Sequence, residues 1–132
     1  MSRPSTLPKP AEELVLKELR RHGKAMGAYA LLKILKPMGI SAPPIIYRAL
    51  QKLIDRGEVH KIRELNAYIA CNCDGHGHQH SLSLLTVCSQ CATVSEIHNH
   101  AIMDQFEALR GQGIVLAEHA VIELPVICEQ CR

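Results

Sequence analysis

Four of the six cysteines fall in two Cys-X-X-Cys pairs, Cys88-Ser-Gln-Cys91 and Cys128-Glu-Gln-Cys131, with 36 residues between Cys91 and Cys128. Two such pairs offer four thiolates, the donor set that closes a tetrahedral Zn²⁺ site. Dithiol redox chemistry of the thioredoxin kind needs its pair inside a βαβ context, and the sequence around these pairs does not supply one. A structural zinc is the expected occupant.

A second group of ligand-type side chains stands outside those pairs. It comprises Cys71, Cys73, His60, His76, His78, His80, Glu96, His98, His100 and His119. A zinc already held by four cysteines has no use for them. A mixed sulfur, nitrogen and oxygen set suits a first-row divalent ion, and a thiolate favours zinc over manganese or magnesium. His22 reads as a helix-end cation. His98 and His100 open a helix and read as solvated, while His76 lies in a glycine-rich loop. His60 is harder to dismiss, because it sits on a strand close to the hinge between the two halves.

The elements that must position these groups follow from apolar spacing. AEELVLKELRRHG, AYALLKILKPMG and SAPPIIYRALQKLIDRG each carry a helical stripe and end at or near glycine. In the third, Ile46, Leu50, Leu53 and Ile54 form the buried face, and Tyr47, Arg48, Gln51 and Lys52 lie off it. Ser41 is the expected cap, with Pro43-Pro44 in the first turn. EVHKI and AYIA read as strands around the turn Arg63-Glu64-Leu65-Asn66. Three short helices and a hairpin make a winged helix, whose third helix fits a DNA major groove. Arg48 suits guanine, and Lys52 suits phosphate; Tyr47 suits phosphate or a thymine methyl. Further on, ATVSEI reads as a strand, NHAIMDQFEALRGQ as a helix, and GIVLAEHAVIELPVI as a strand, bent or straight. So few elements enclose little core, which predicts support from zinc and from a second copy.

The chain has 132 residues, enough for one ordinary domain or two small ones, and its 3% aromatic content makes the core aliphatic. Charge is divided unevenly. Residues 1–72 hold thirteen Lys and Arg against six Asp and Glu, a net of +7; residues 73–132 hold two against seven, a net of −5. A basic half joined to an acidic half predicts a polyanion partner for the first. No apolar run is long enough to span a bilayer. The opening MSRPSTLPKPAEE lacks the apolar core of a secretion signal, so a cytoplasmic, membrane-free setting with reduced thiols is expected.

The sequence resembles the ferric uptake regulator superfamily, most of all its zinc uptake regulator branch. The resemblance covers nearly the whole chain. It rests on PPIIYRALQKLIDRGEVHKI, on the two Cys-X-X-Cys pairs, on AYALL and on NAYIAC. It implies an α+β chain: an N-terminal winged-helix DNA-binding domain (1–72), then a small α/β dimerisation domain (73–132) with a Cys₄ zinc site. It further implies a homodimer that binds an AT-rich palindromic operator in double-stranded DNA and represses metal-uptake genes. About two Zn²⁺ per subunit are implied. The structural ion takes Cys88, Cys91, Cys128 and Cys131. The regulatory ion takes His60, Cys71, His80 and Glu96, and it sets the angle between the DNA-reading helices. Tyr29, Arg48 and Tyr47 carry over as DNA contacts. Where the chain departs from the family, alternatives stay open. His80 lies eight positions before Cys88, which keeps His78 as a rival. Cys73 rivals Cys71, and His78, His119 and Glu96 are candidates for an additional metal. Ile45-Ile46 replaces a Thr-Val pair, and Leu7-Pro8-Lys9-Pro10 replaces the usual arm before the first helix.

A zinc-responsive repressor that is not an enzyme is therefore expected, with zinc as corepressor. The alternatives are a sensor of iron, manganese or peroxide in the same family, a thiol switch at Cys71 and Cys73, and a zinc enzyme using Glu96 as base.

Overall fold

The computed structural model of the chain describes residues 10–72 and 82–132. Three helices come first: α1 (Ala11–His22), α2 (Ala28–Leu35) and α3 (Pro43–Asp55). Helix α1 carries Glu12 and Glu13 in its first turn and Arg20, Arg21 and His22 in its last. Both ends complement the helix dipole. It stops at Gly23, whose φ of 65° is left-handed and lets its N–H reach Leu19 O. Helix α3 starts at Pro43 after Ala42, and no side chain caps it. The expected Ser41 cap is absent for a physical reason. Prolines in the first two positions have no N–H, so a capping oxygen has one fewer donor to serve.

The stripes pack as their spacing predicts. Val15, Leu19, Leu31, Leu35, Ile46, Leu50, Leu53 and Val59 form the fully buried centre of the first core. Tyr47, Arg48, Gln51 and Lys52 all face solvent. A hairpin of β1 (Val59–Ile62) and β2 (Ala67–Ala70) follows, paired His60 to Ile69 and Lys61 to Tyr68. The loop after α1 adds an edge to it through two 2.8 Å bonds between Met26 and Tyr68 backbones. These elements make a winged helix.

The second unit is a mixed three-stranded sheet in the order β4-β3-β5. The central strand β3 (Leu82–Cys88) is antiparallel to β4 (Val94–Ile97) and parallel to β5 (Ala120–Val126). Helix α4 (His100–Glu107) makes the crossover, capped by Asn99 Oδ1 accepting from Ile102 N at 3.1 Å. Three differences from the sequence reading are clear. Strand β3 was not foreseen. The helix foreseen to Gln112 narrows to a 3₁₀ turn over Ala108–Gln112. The last strand begins only at Ala120, because Glu118 and His119 form a turn in which His119 has a φ of 58°.

The wing is docked on this sheet. Ile62, Leu85 and Val87 form a second buried cluster, with Leu65, Ile69, Val94 and Val121 packed around it. The two units therefore share a small apolar seam. Among the described residues no helix is long and apolar enough to cross a membrane.

Candidate metal centres

The two Cys-X-X-Cys pairs sit on adjacent strand ends. Strand β3 ends at Cys88, and the turn to β4 carries Cys91; strand β5 delivers Cys128 and Cys131 just beyond Val126. A bond from Ser89 N to Val126 O at 2.8 Å ties the two turns together. All four sulfurs lie within 4.8 Å of one another, and Cys91 Sγ is 3.6 Å from Cys128 Sγ. A tetrahedral ion with Zn–S bonds of about 2.3 Å sets its sulfurs roughly 3.8 Å apart, so the donor set and spacing fit zinc.

The electrostatics point the same way. The N–H groups of Cys128, Cys91 and Gln90 donate to Cys88 Sγ at 3.4 to 3.5 Å. Those backbone donors bring the Cys88 thiol down to about 6. Cys91 is also lowered, chiefly by the Thr93 hydroxyl at 3.0 Å. Cys131, hydrogen-bonded to Cys128 and Cys91 in the same cluster, is pushed up to about 12. Four thiolates cannot coexist at this distance without a cation among them, and a bound dication removes that obstacle.

A second convergence lies where the wing meets the sheet. His60 comes from β1, Cys71 follows β2, and Glu96 comes from β4. One ligand atom from each falls within 4.8 Å of the others. His60 Nε2 is 3.4 Å from Glu96 Oε2, and the Cys71 thiol donates to the same oxygen at 3.7 Å. Asn72 N donates to Glu96 Oε1 at 3.0 Å. Burial raises the Glu96 pKa, but the His60 and Asn72 hydrogen bonds and the His60 and His98 charges outweigh it and hold the carboxyl at about 2. An anionic carboxylate, a thiol and an imidazole buried at 5% exposure make a site that can hold a borderline dication.

Other foreseen residues are distributed as follows. Cys73, His78 and His80 lie outside the described residues, so the donors expected from that loop do too. His119 lines a cleft that also has His60 on its wall, but it pairs with Glu118 at 3.7 Å and belongs to neither thiol- nor carboxylate-bearing cluster. On the helical face, Tyr29 is 69% and Tyr47 44% exposed. Among the described residues, Arg48 Nε donates to Pro44 O of its own helix at 3.4 Å. Lys52 lies 3.8 Å from Glu12 Oε1.

The sequence reading missed Ser83 as a neighbour of the second site and read His98 as solvated. Ser83 Oγ is buried 3.5 Å from His60 Nε2, and the His98 ring is 3.1 Å from Asn72 O. Nothing in the residue types marks Ser83; only the register of β3 against its neighbours puts it there.

A winged helix docked on a small sheet, with a four-cysteine turn pair and a mixed-donor cluster at the junction, defines a metal-binding, helix-presenting regulator of transcription. The comparisons with known proteins agree. No family model matches the chain. The zinc uptake regulation protein of Escherichia coli (strain K12) is 32% identical over 119 residues, 89% of this chain and 68% of that protein. A solved zinc uptake regulator complexed with zinc and DNA matches 97% of this chain and 85% of its own, with 29% identity and a TM-score of 0.78. Holo XcZur matches 94% and 85%, with 28% identity and a TM-score of 0.75. The chain belongs to the zinc uptake regulator branch of the ferric uptake regulator superfamily.

Proposed function

We propose that this chain is a zinc-responsive, DNA-binding transcriptional repressor of zinc-uptake genes, with Zn²⁺ as corepressor. The observation that carries the reading is the meeting of His60, Cys71 and Glu96 from the wing, the hinge and the sheet. A cation bound there favours one arrangement of wing and sheet over others, and a ligand shifts an equilibrium only by such differential binding. The relative solved with zinc and DNA supports the same reading.

In this proposal residues 1–72 bind DNA and residues 73–132 dimerise and bind metal. Each subunit holds about two zinc ions. Cys88, Cys91, Cys128 and Cys131 take the structural ion. His60, Cys71 and Glu96 take the regulatory ion, with His80 as the fourth donor. Zinc supplies a Lewis-acidic charge that joins these donors. The protein's own part is to hold them: Asn72 N–H orients the Glu96 carboxylate, and Ser83 sits against the His60 ring. Tyr29, Tyr47, Arg48 and Lys52 contact the operator, an AT-rich palindrome matched to a homodimer.

The test is a mobility shift on such an operator in buffered free Zn²⁺, with Cys71→Ser beside the wild type. Wild type is expected to bind above a zinc threshold, and the folded variant to lose that threshold. A wild type indifferent to zinc would sink the reading.

A further inference from the structure

Glu123 stands on β5, opposite Leu85 of β3 in the sheet. Its side chain leaves the sheet and meets the tip of the wing. Glu123 Oε2 accepts from Arg63 N at 2.6 Å, and Oε1 accepts from Glu64 N at 3.0 Å. Those two amides open the turn between β1 and β2, which closes by Asn66 N donating to Arg63 O at 3.2 Å. Two successive N–H groups in a turn form a small anion-binding concavity, and here a carboxylate of the same chain fills it. The partners are 60 and 59 residues apart in sequence, so the contact joins the two units.

The setting makes this a defined contact. Val121, two residues earlier on β5, packs on the apolar seam with Ile62 and Leu65 of the wing. Side chains two apart share a strand face, so Val121 and Glu123 grip the wing together. Beyond Glu123, the strand ends at Val126 and the chain leads directly into Cys128. A cleft of about 230 Å³ separates the wing tip from the cysteine turn, with Glu64, Leu65, Cys88, Ser89 and Glu123 among its walls.

We propose that Glu123 is a positioning residue for DNA binding. It clamps the wing tip to the sheet, sets the wing's angle independently of the regulatory ion, and is itself held in place by the four-cysteine zinc at the end of β5. This rests on the function proposed above. Zinc at His60, Cys71 and Glu96 fixes the base of the wing; Glu123 fixes its tip. Two anchors define an orientation that one leaves free to swing.

The test uses the full-length protein with its cysteine-bound zinc retained. Glu123→Gln keeps the size but puts an amide N–H₂ where one backbone N–H now finds an acceptor. Hydrogen exchange at Arg63 and Glu64 is expected to quicken about tenfold. Operator affinity at saturating zinc should fall by a similar factor, with zinc content unchanged. Glu123→Asp, too short to reach both amides, should fall between and serves if Glu123→Gln loses zinc. Unchanged exchange, or faster exchange with unchanged affinity, overturns the clamp. A zinc-responsive wild type with a silent Glu123→Gln sinks the clamp alone. A wild type that ignores zinc sinks the functional reading, and the clamp's role with it.

Discussion

Glu96→Gln removes one charge from the junction and leaves the shape almost intact. In the wild type the carboxylate takes hydrogen bonds from Asn72 N at 3.0 Å and from the His60 ring at 3.4 Å. These hold its pKa at about 2, below the 4.5 of an ordinary glutamate. A depressed folded-state pKa adds stability that is fully present above the unfolded value and is lost as pH falls through the folded one. The window is thus pH 4.5 down to about 2. Before solvent screening, that shift is worth about 3 kcal/mol. The site is only partly shielded from solvent, so screening reduces it to about 1–2 kcal/mol. Urea denaturation of wild type and Glu96→Gln, both kept free of junction zinc by a weak chelator and run in parallel from pH 6 to pH 3, isolates the charge, because loss of the cysteine-bound zinc at low pH is common to both proteins. Wild type should be the more stable by about 1–2 kcal/mol at pH 6, and the gap should shrink by more than half by about pH 3. A gap that stays constant across that range, or that widens on acidification, refutes the reasoning.

Other outcomes follow from the same geometry. Cys128→Ser should lower the zinc content by at least one ion per chain, with the junction ion following the cysteine-bound one, and expose the remaining thiols to a thiol reagent; full zinc retention would dismiss the four-cysteine site. Leu50→Ala removes a side chain that is 1% exposed in the helical core and should cost about 2–5 kcal/mol in urea unfolding. Arg48→Ala should weaken operator binding by about 1–3 kcal/mol and relax base preference at one position, read by competition with mutated operators. Lys52→Ala should instead weaken all sequences alike and reduce the salt slope of binding by about one.

The winged helix was legible because its helices are amphipathic and two short strands flank the polar turn Arg63-Glu64-Leu65-Asn66. Ile46, Leu50 and Leu53 announce one face and Tyr47, Arg48 and Lys52 the other. The cysteine pairs were legible from spacing, and His60, Cys71 and Glu96 came from the family resemblance. Strand β3 was hidden for a physical reason. As the central strand it is buried on both faces, so LSLLTVC shows no alternation, and its serine and threonine dilute the apolar run. The last strand was overextended because Ile114, Val115 and Leu116 look strand-like. Only the left-handed His119 shows where the strand starts. Ser83 and Glu123 were invisible as site neighbours because their contacts depend on inter-strand register and on how the wing docks, neither of which residue type encodes.

Strand β3 touches the junction site through Ser83 and enters the cysteine turn at Cys88. Five residues of strand span about 17 Å, so one rigid rod connects the two centres. Its register is locked on both sides by β4 and β5, and a slip by one residue would turn every side chain to the wrong face. The consequence is a hierarchy of assembly. With zinc in both clusters as proposed, the cysteine-bound ion would fasten the rod before the junction has a floor to close upon. Stripping the junction ion would then leave a protein that can be recharged, whereas stripping the cysteine-bound ion would dismantle the junction as well. A strong chelator and a weak one should therefore leave this chain in different conditions: one unable to respond again until it refolds, the other merely waiting for metal.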